Sequence, residues 1–254
     1  FIESVSWDTN DFTQIVKDII VKKCAKRPVL ILNDMVEQHY RKETMPKTSI
    51  LDQNSILNRR LAIAFPNYPI RASLKINDVS KQDGQGHSYL FAAIPVADAY
   101  KKTMKAVEKS LVPIVGLYLL PVEGAAMVRL LSQKDSKSKI SAPQWSIFAG
   151  QHRGGGLRQI VTRGGDLALT RMTPVVDTEV DPGLWVQEVS MELESTMSYL
   201  ARFGYKPEDG LDIHVVTSEK TKGLLEQAVK IECNLNCVTS SDLSSLVKSP
   251  IAFQ

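Results

Sequence analysis

The sequence predicts an α/β protein of two subdomains, and three observations carry that reading. Apolar residues recur at helical spacing in several separate stretches, most clearly Trp185, Val189, Leu193, Leu200 and Phe203 between Pro182 and Phe203. Between such stretches lie short runs that are apolar throughout, Val29-Leu30-Ile31-Leu32 and Val112 to Leu120. The first of these suits a strand buried on both faces. Three strand-like segments, Trp145 to Ala149, Leu157 to Thr162 and Leu167 to Met172, follow one another closely. Their connectors, Gly154-Gly155-Gly156 and Gly164-Gly165-Asp166, carry glycines that can reach positive φ, as tight hairpin turns require.

In chain order, Asp11 to Ala25 predicts an amphipathic helix through Phe12, Ile15, Ile19 and Ile20, capped by Asp11 or Asn10 and stopped by Arg27-Pro28. Met35 to Pro46 is polar and predicts a helical turn and loop. Ser49 to Phe65 predicts a second helix with Ile56, Leu57, Leu61 and Ala64 on one face, ended by Pro66 and Pro69. Ile70, Ala72, Leu74 and Ile76 alternate as in a half-buried strand. A polar turn from Asp78 to His87 and a strand from Ser88 to Ile94 complete a hairpin. Pro95 to Ser110 predicts a helix with Tyr100, Met104 and Val107 inward, and Val122 to Ser132 another after the apolar strand.

Gln133 to Ala142 is rich in Lys and Ser, and it is the expected boundary between subdomains at 1–132 and 143–254. Beyond the long helix, Leu211 to Val216 predicts a strand, Glu219 to Val229 a helix, and Ile231 to Val238 a strand or loop. The second half therefore reads β-β-β-α-β-α. The first half reads as part of a similar unit, interrupted by a small α/β insertion at about residues 50–110.

Composition narrows the function. With 43% hydrophobic and 23% charged residues, the 254-residue chain is globular rather than disordered. A net charge of +3 from 31 basic and 28 acidic residues gives no electrostatic case for nucleic acid. The short clusters Lys22-Lys23 and Arg59-Arg60 suit solvated helix faces, with contact to phosphates or anionic lipid as the alternative. Three cysteines, Cys24, Cys233 and Cys237, suit a reducing compartment rather than a disulfide framework. Cys233 and Cys237 lack a nearby second pair of ligands, so no metal is expected. No apolar run reaches the ~18 residues of a membrane span, and no signal peptide is visible. The chain opens at Phe1 without an initiator Met, which leaves room for a longer natural protein at both ends.

No catalytic apparatus emerges. His39, His87, His152 and His214 lie far apart in sequence, with no helical metal pair. His214 alternates with Ile213 and Val215 and so points away from them, to solvent or to a hydrogen-bond partner. Gly-x-Ser-x-Gly is absent. Ser218-Glu219 and Ser240-Ser241-Asp242 suit helix caps. Asp177, Glu179 and Asp181 suit a helix start, with an acidic cluster as the alternative. The expectation is a binding and assembly protein rather than an enzyme.

Two stretches carry a resemblance. Tyr89-Leu-Phe-Ala-Ala-Ile-Pro95 with its following helix, strand and helix is one; Asp166-Leu-Ala-Leu-Thr-Arg-Met172 with the helix bearing Glu188 to Tyr199 is the other. With Glu37-Gln-His-Tyr-Arg41 and Arg59-Arg60-Leu61, they resemble PilM and GspL-type proteins of type IV pilus and type II secretion machines. The resemblance implies an actin-like ATPase (RNase H-like) superfold of two subdomains, one carrying a small inserted α/β subdomain. Actin-like ATPases cradle phosphates on two Gly-rich hairpins and hold Mg²⁺ through carboxylates. Here Phe1 to Trp7 has no Gly, which leaves the first loop missing or upstream. Phe148-Ala149-Gly150-Gln151 lacks the carboxylate, and Val216-Thr217-Ser218-Glu219 lacks the late Gly-Gly. No cofactor and no nucleotide-binding residues are therefore expected. The turn Gly154, Gly155, Gly156 beside His152-Arg153 is at most a degenerate anion loop.

What the resemblance implies is a non-catalytic scaffold, cytoplasmic at the inner-membrane face, in a pilus or type II-like secretion platform. Its partners would be inner-membrane platform proteins and the assembly ATPase, with a homo-oligomer allowed. In PilM relatives a short cytoplasmic tail of a membrane partner docks between subdomains. The corresponding contact is expected between Ile70 and Leu120, at Tyr89, Phe91 and Tyr118. The alternatives are an ATP-binding PilM-like assembly protein and a small-molecule kinase of the same superfold. The kinase is disfavoured because no candidate catalytic Asp stands beside a Gly-rich hairpin.

Overall fold

The computed structural model describes residues 3–46, 49–76, 86–135, 144–152 and 155–246. These fall into two compact units, residues 3–76 with 86–120, and residues 121–246. The polar turn expected from Asp78 to His87 lies mostly outside the described residues.

In the first unit, helix α1 (Phe12–Cys24) leads into strand β1 (Val29–Asn33). Strand β2 (His39–Met45), helix α2 (Ile50–Ala64), and strands β3 (Ile70–Ile76) and β4 (His87–Ile94) follow. Helix α3 (Asp98–Ser110) and strand β5 (Ile114–Leu119) close the unit. β1 and β5 pair in parallel, Leu30 beside Gly116 and Leu32 beside Tyr118, and α1 packs on α3. β4 lies between β2 and β3, antiparallel to both. One face of this small sheet, Met45, Tyr89, Phe91 and Ala93, packs against Leu57, Leu61 and Phe65, the apolar stripe of α2 and its C-cap. Ser49 caps α2, its hydroxyl accepting from the Asp52 amide at 3.2 Å.

Three expectations are corrected here. Residues 39–45 form an edge strand, not a helical turn and loop. Their charged side chains fit an edge because only one side of β2 is paired, and the apolar β4 supplies the ladder. β1 is not buried on both faces: alternation puts Leu30 and Leu32 on a face left 55% and 49% exposed, while Val29 and Ile31 on the other face are partly buried. On β3, likewise an edge, Leu74 is 50% exposed despite its place in the apolar alternation.

The second unit receives helix α4 (Leu120–Asp135) from Pro121 onward. Then come β6 (Trp145–Gln151), β7 (Leu157–Arg163) and β8 (Asp166–Thr173), an antiparallel meander. Helix α5 (Pro182–Arg202), strand β9 (Leu211–Val216), helix α6 (Glu219–Ala228), strand β10 (Asn234–Val238) and helix α7 (Ser240–Leu246) complete it. The sheet order is β10-β9-β6-β7-β8, with β9 parallel to both β6 and β10. Alternation divides its faces. Trp145, Ile147, Ala149, Leu157, Val161, Leu211, Ile213 and Val215 join Trp185, Val189, Leu193, Leu200 and Leu225 in one core under α5 and α6. The other face carries Ser146, Ile160 and His214 beneath α4, where a Cβ on Gly124 would lie 2.6 Å from Ile160 Cδ1. These contacts tie α4 to the second sheet, so the chain divides at Leu120 and Pro121. The stretch 133–142, where composition suggests a boundary, lies mostly outside the described residues.

The two units share a pattern. In each, a helix precedes each of two parallel strands and the two helices pack together: α1-β1 with α3-β5, and α5-β9 with α6-β10.

Candidate functional site

The place where an actin-like protein would meet phosphates is the β6–β7 turn. Two of its amides turn inward: His152 N–H donates to the Gly156 carbonyl at 2.8 Å, and Gly155 N–H to the His152 carbonyl at 2.9 Å. Gly155 and Gly156 sit at φ 92° and 90°. A Cβ on Gly156 would lie 2.7 Å from the Thr173 carbonyl oxygen, so closure against β8 accounts for that glycine. Arg153 and Gly154 lie outside the described residues. The stretch Phe148 to Gln151, which lacks the carboxylate, ends in Gln151, whose Oε1 accepts from the Thr178 amide at 3.2 Å and so orders the loop before α5. Where a late Gly-Gly would meet adenosine, Thr217, Ser218 and Thr221 bond to one another. The Ser218 amide donates to Thr221 Oγ1 at 3.2 Å, so this cluster serves as the cap of α6.

The Thr-Arg strand and the long helix that carry the resemblance meet in space. Arg171 on β8 donates to Thr196 Oγ1 at 2.7 Å and to Glu192 Oε2 at 3.2 Å, and its guanidinium lies 5.1 Å from the Tyr199 ring centre. Thr196 donates in turn to Gln159 Oε1 at 2.8 Å, and both residues are fully buried. Thr170 donates to the Gln159 carbonyl at 2.8 Å, and Glu188 accepts from the Val176 amide at 2.6 Å. The Thr170 bond ties β8 to β7, and the others fix α5 on the sheet or order its entry. The sequence marks the motif but not Gln159, whose amide side chain sits on an otherwise apolar face.

On the opposite face, Ser132 Oγ lies 2.9 Å from Ser146 Oγ and 3.1 Å from His214 Nε2. His214 is fully buried; of the two positions expected for it, the hydrogen-bonded one is occupied and the solvent-facing one is not. Asp212, also buried, accepts from Asn234 Nδ2 at 2.8 Å. A cavity of about 330 Å³ lies along β10, lined by His214, Lys222, Glu226, Asn236 and Asp242. The serine that reaches His214 comes from α4, so no sequence spacing reveals the contact.

The remaining candidates resolve into structural roles. Asp181 Oδ1 accepts from the Leu184 amide at 2.9 Å, capping α5. Thr239 and Asp242 cap α7 reciprocally, at 2.9 Å and 3.2 Å. Burial pushes the Cys233 thiol up from 9.0 to about 11, with Asp212 adding to the shift, and burial raises Cys237 too. Neither is an activated thiolate. Among the described residues no group of three His, Cys, Asp or Glu could hold a metal ion, and no helix is long and apolar enough to cross a membrane. Tyr89 and Phe91 are 5% and 0% exposed beneath α2, and Tyr89 bonds to Gln53. Their side chains hold the small sheet together and offer little surface for docking; Tyr118 on β5 is partly exposed.

Two parallel strands after a three-stranded meander, with the crossing helices packed together, define an actin-like, RNase H-like α/β fold in the second unit. The first unit repeats its helix–strand pairs around an inserted sheet. Two solved structures are similar to the chain. A chain from the "PilM-PilN type IV pilus biogenesis complex" matches 97% of this chain and 79% of its own length, at TM-score 0.62 and 14% identity. A protein from Bacteroides thetaiotaomicron VPI-5482, described as having an actin-like ATPase fold and unknown function, matches 93% of this chain and 80% of its own at TM-score 0.43 and 13% identity. No family model matches the sequence, and no curated protein matches it significantly.

Proposed function

We propose that this protein is a non-catalytic scaffold of type IV pilus assembly, acting at the cytoplasmic face of the inner membrane. The observation that carries this reading is the likeness in fold, over nearly the whole chain, to the PilM-PilN complex. The non-catalytic part draws its support from the second and third ligand-loop positions. In the β6–β7 turn the His152 and Gly155 amides are engaged within the loop, the stretch Phe148 to Gln151 lacks a carboxylate, and a hydroxyl cluster stands in place of Gly-Gly. The partner is an extended cytoplasmic tail of an inner-membrane pilus protein. β3 is an edge strand of the inserted sheet, so such a tail can add main-chain hydrogen bonds along Ile70–Ile76. The type II secretion platform is the neighbouring setting for the same role.

The test has two parts. Deleting the gene in its source bacterium abolishes surface pili, and normal piliation sinks the assignment. Hydrogen exchange with the tail of the candidate membrane partner shows protection between Ile70 and Leu120. Protection confined to Trp145 onward would move the docking surface to the second unit. An ATP-binding assembly protein is the second reading, favoured by the positive φ of Gly155 and Gly156 in the turn concerned.

A further inference from the structure

All three non-glycine residues at positive φ among the described residues lie in two turns of the first unit: Ala25 and Lys26 after α1, and Leu111 after α3. The turns lie side by side, because β1 and β5 start together and the Val29 amide donates to the Pro113 carbonyl at 2.8 Å. Glycine is the residue that takes this backbone conformation at least cost. At Leu111 the chain instead holds a leucine there, 91% exposed, the most exposed large apolar side chain described. A leucine at a helix C-cap normally packs down on its helix; this one stands out into solvent.

Around it the charge has one dominant sign. Lys22 lies in the last turn of α1, Lys26 and Arg27 follow it, Lys105 and Lys109 lie on the last turns of α3, and all are exposed. Glu108 is the acidic residue among them. Cations at two helix C-termini also complement the helix dipoles. The dipoles do not account for Lys26 and Arg27, which lie beyond α1, or for the protruding leucine. Proline 28 and Pro113 stiffen both turns, and both are exposed.

We propose that these paired turns form a docking surface for an anionic lipid bilayer, with Leu111 inserting among the headgroups and the five cations engaging lipid phosphates. Charge complementarity selects the occupant: each cation close to an anionic surface adds attraction that salt weakens. A single protruding apolar side chain within a basic field also suits a soft interface into which it can sink. A folded protein partner would offer a pocket for an anchor of that kind. This inference rests on the patch alone. Vesicle binding tests it without reference to pili, so its failure and that of the pilus reading are separable.

The test is cosedimentation of the 254-residue chain with vesicles of phosphatidylcholine, with and without about 30% phosphatidylglycerol. The expected result is binding to the anionic vesicles, little to the neutral ones, and loss at about 0.5 M salt. Leu111→Gly suits the turn better than leucine does, so the fold is kept while the anchor is removed; binding falls roughly fivefold or more. Lys26→Gln with Lys109→Gln lowers it by about tenfold or more. Circular dichroism and thermal melting of the variants confirm that they are folded. No preference for anionic vesicles, or binding unchanged in both variants, overturns the proposal and leaves the patch to an acidic protein partner.

Discussion

At the scale of single residues, the best-defined polar feature is the chain from Arg171 through Thr196 to Gln159. Thr196 is fully buried and serves both neighbours, accepting from one and donating to the other. Thr196→Val keeps the shape and removes the hydroxyl, leaving Gln159 Oε1 and an Arg171 N–H short of a partner. Denaturant unfolding should show a loss of about 1–3 kcal/mol, and Thr196→Ser should recover most of it. The two glycines of the β6–β7 turn make a second test. Both are at positive φ, so alanine strains either, but a Cβ at 156 meets the Thr173 carbonyl while one at 155 meets nothing. Gly156→Ala should therefore lower the melting temperature clearly more than Gly155→Ala. Equal losses would mean that backbone strain alone governs the turn. The glycines of this turn are legible as a hairpin in the sequence; which of them is pressed against β8 is not.

At the scale of elements, burial separates side chains that the pattern treats alike. Leu193 on α5 and Leu30 on β1 are both apolar residues at regular spacing, yet Leu193 is fully buried and Leu30 is 55% exposed. Leu193→Ala should cost about 2–5 kcal/mol, the range for a core leucine. Leu30→Ala should stay within about 0.5 kcal/mol, as at surface sites. A large loss at Leu30 would show that its face is covered in solution. Local pattern predicts α1, α2, α5 and β9 to within a residue or two of their ends, because helical stripes and strand alternation are read over short windows. The same logic misreads 39–45: polar residues carry no apolar alternation, and their strand exists because β4 pairs with them.

At the scale of the molecule, the fold is actin-like, while the two described loops where that fold would meet a nucleotide make other contacts. Calorimetry with ATP and Mg²⁺ is expected to give no binding. A Kd at or below the micromolar range would replace the scaffold reading with that of an ATP-binding assembly protein. The argument is about backbone supply: a phosphate cradle needs several converging N–H groups. Here the His152 and Gly155 amides are already engaged.

The sequence by itself determined the α/β class, the meander between Trp145 and Met172, the long helix behind it and the lack of a carboxylate from Phe148 to Gln151. All of these are local, written in periodicity, in turn glycines or in the identity of one residue. Only the tertiary structure decided that α4 belongs with the second sheet and that Ser132 reaches His214. It alone placed Tyr89 and Phe91 in a core and brought Lys26 and Leu111 to adjacent turns. Each of these depends on which distant segment lies alongside. Neighbours in space are set by packing across the whole chain, and no window of sequence contains them.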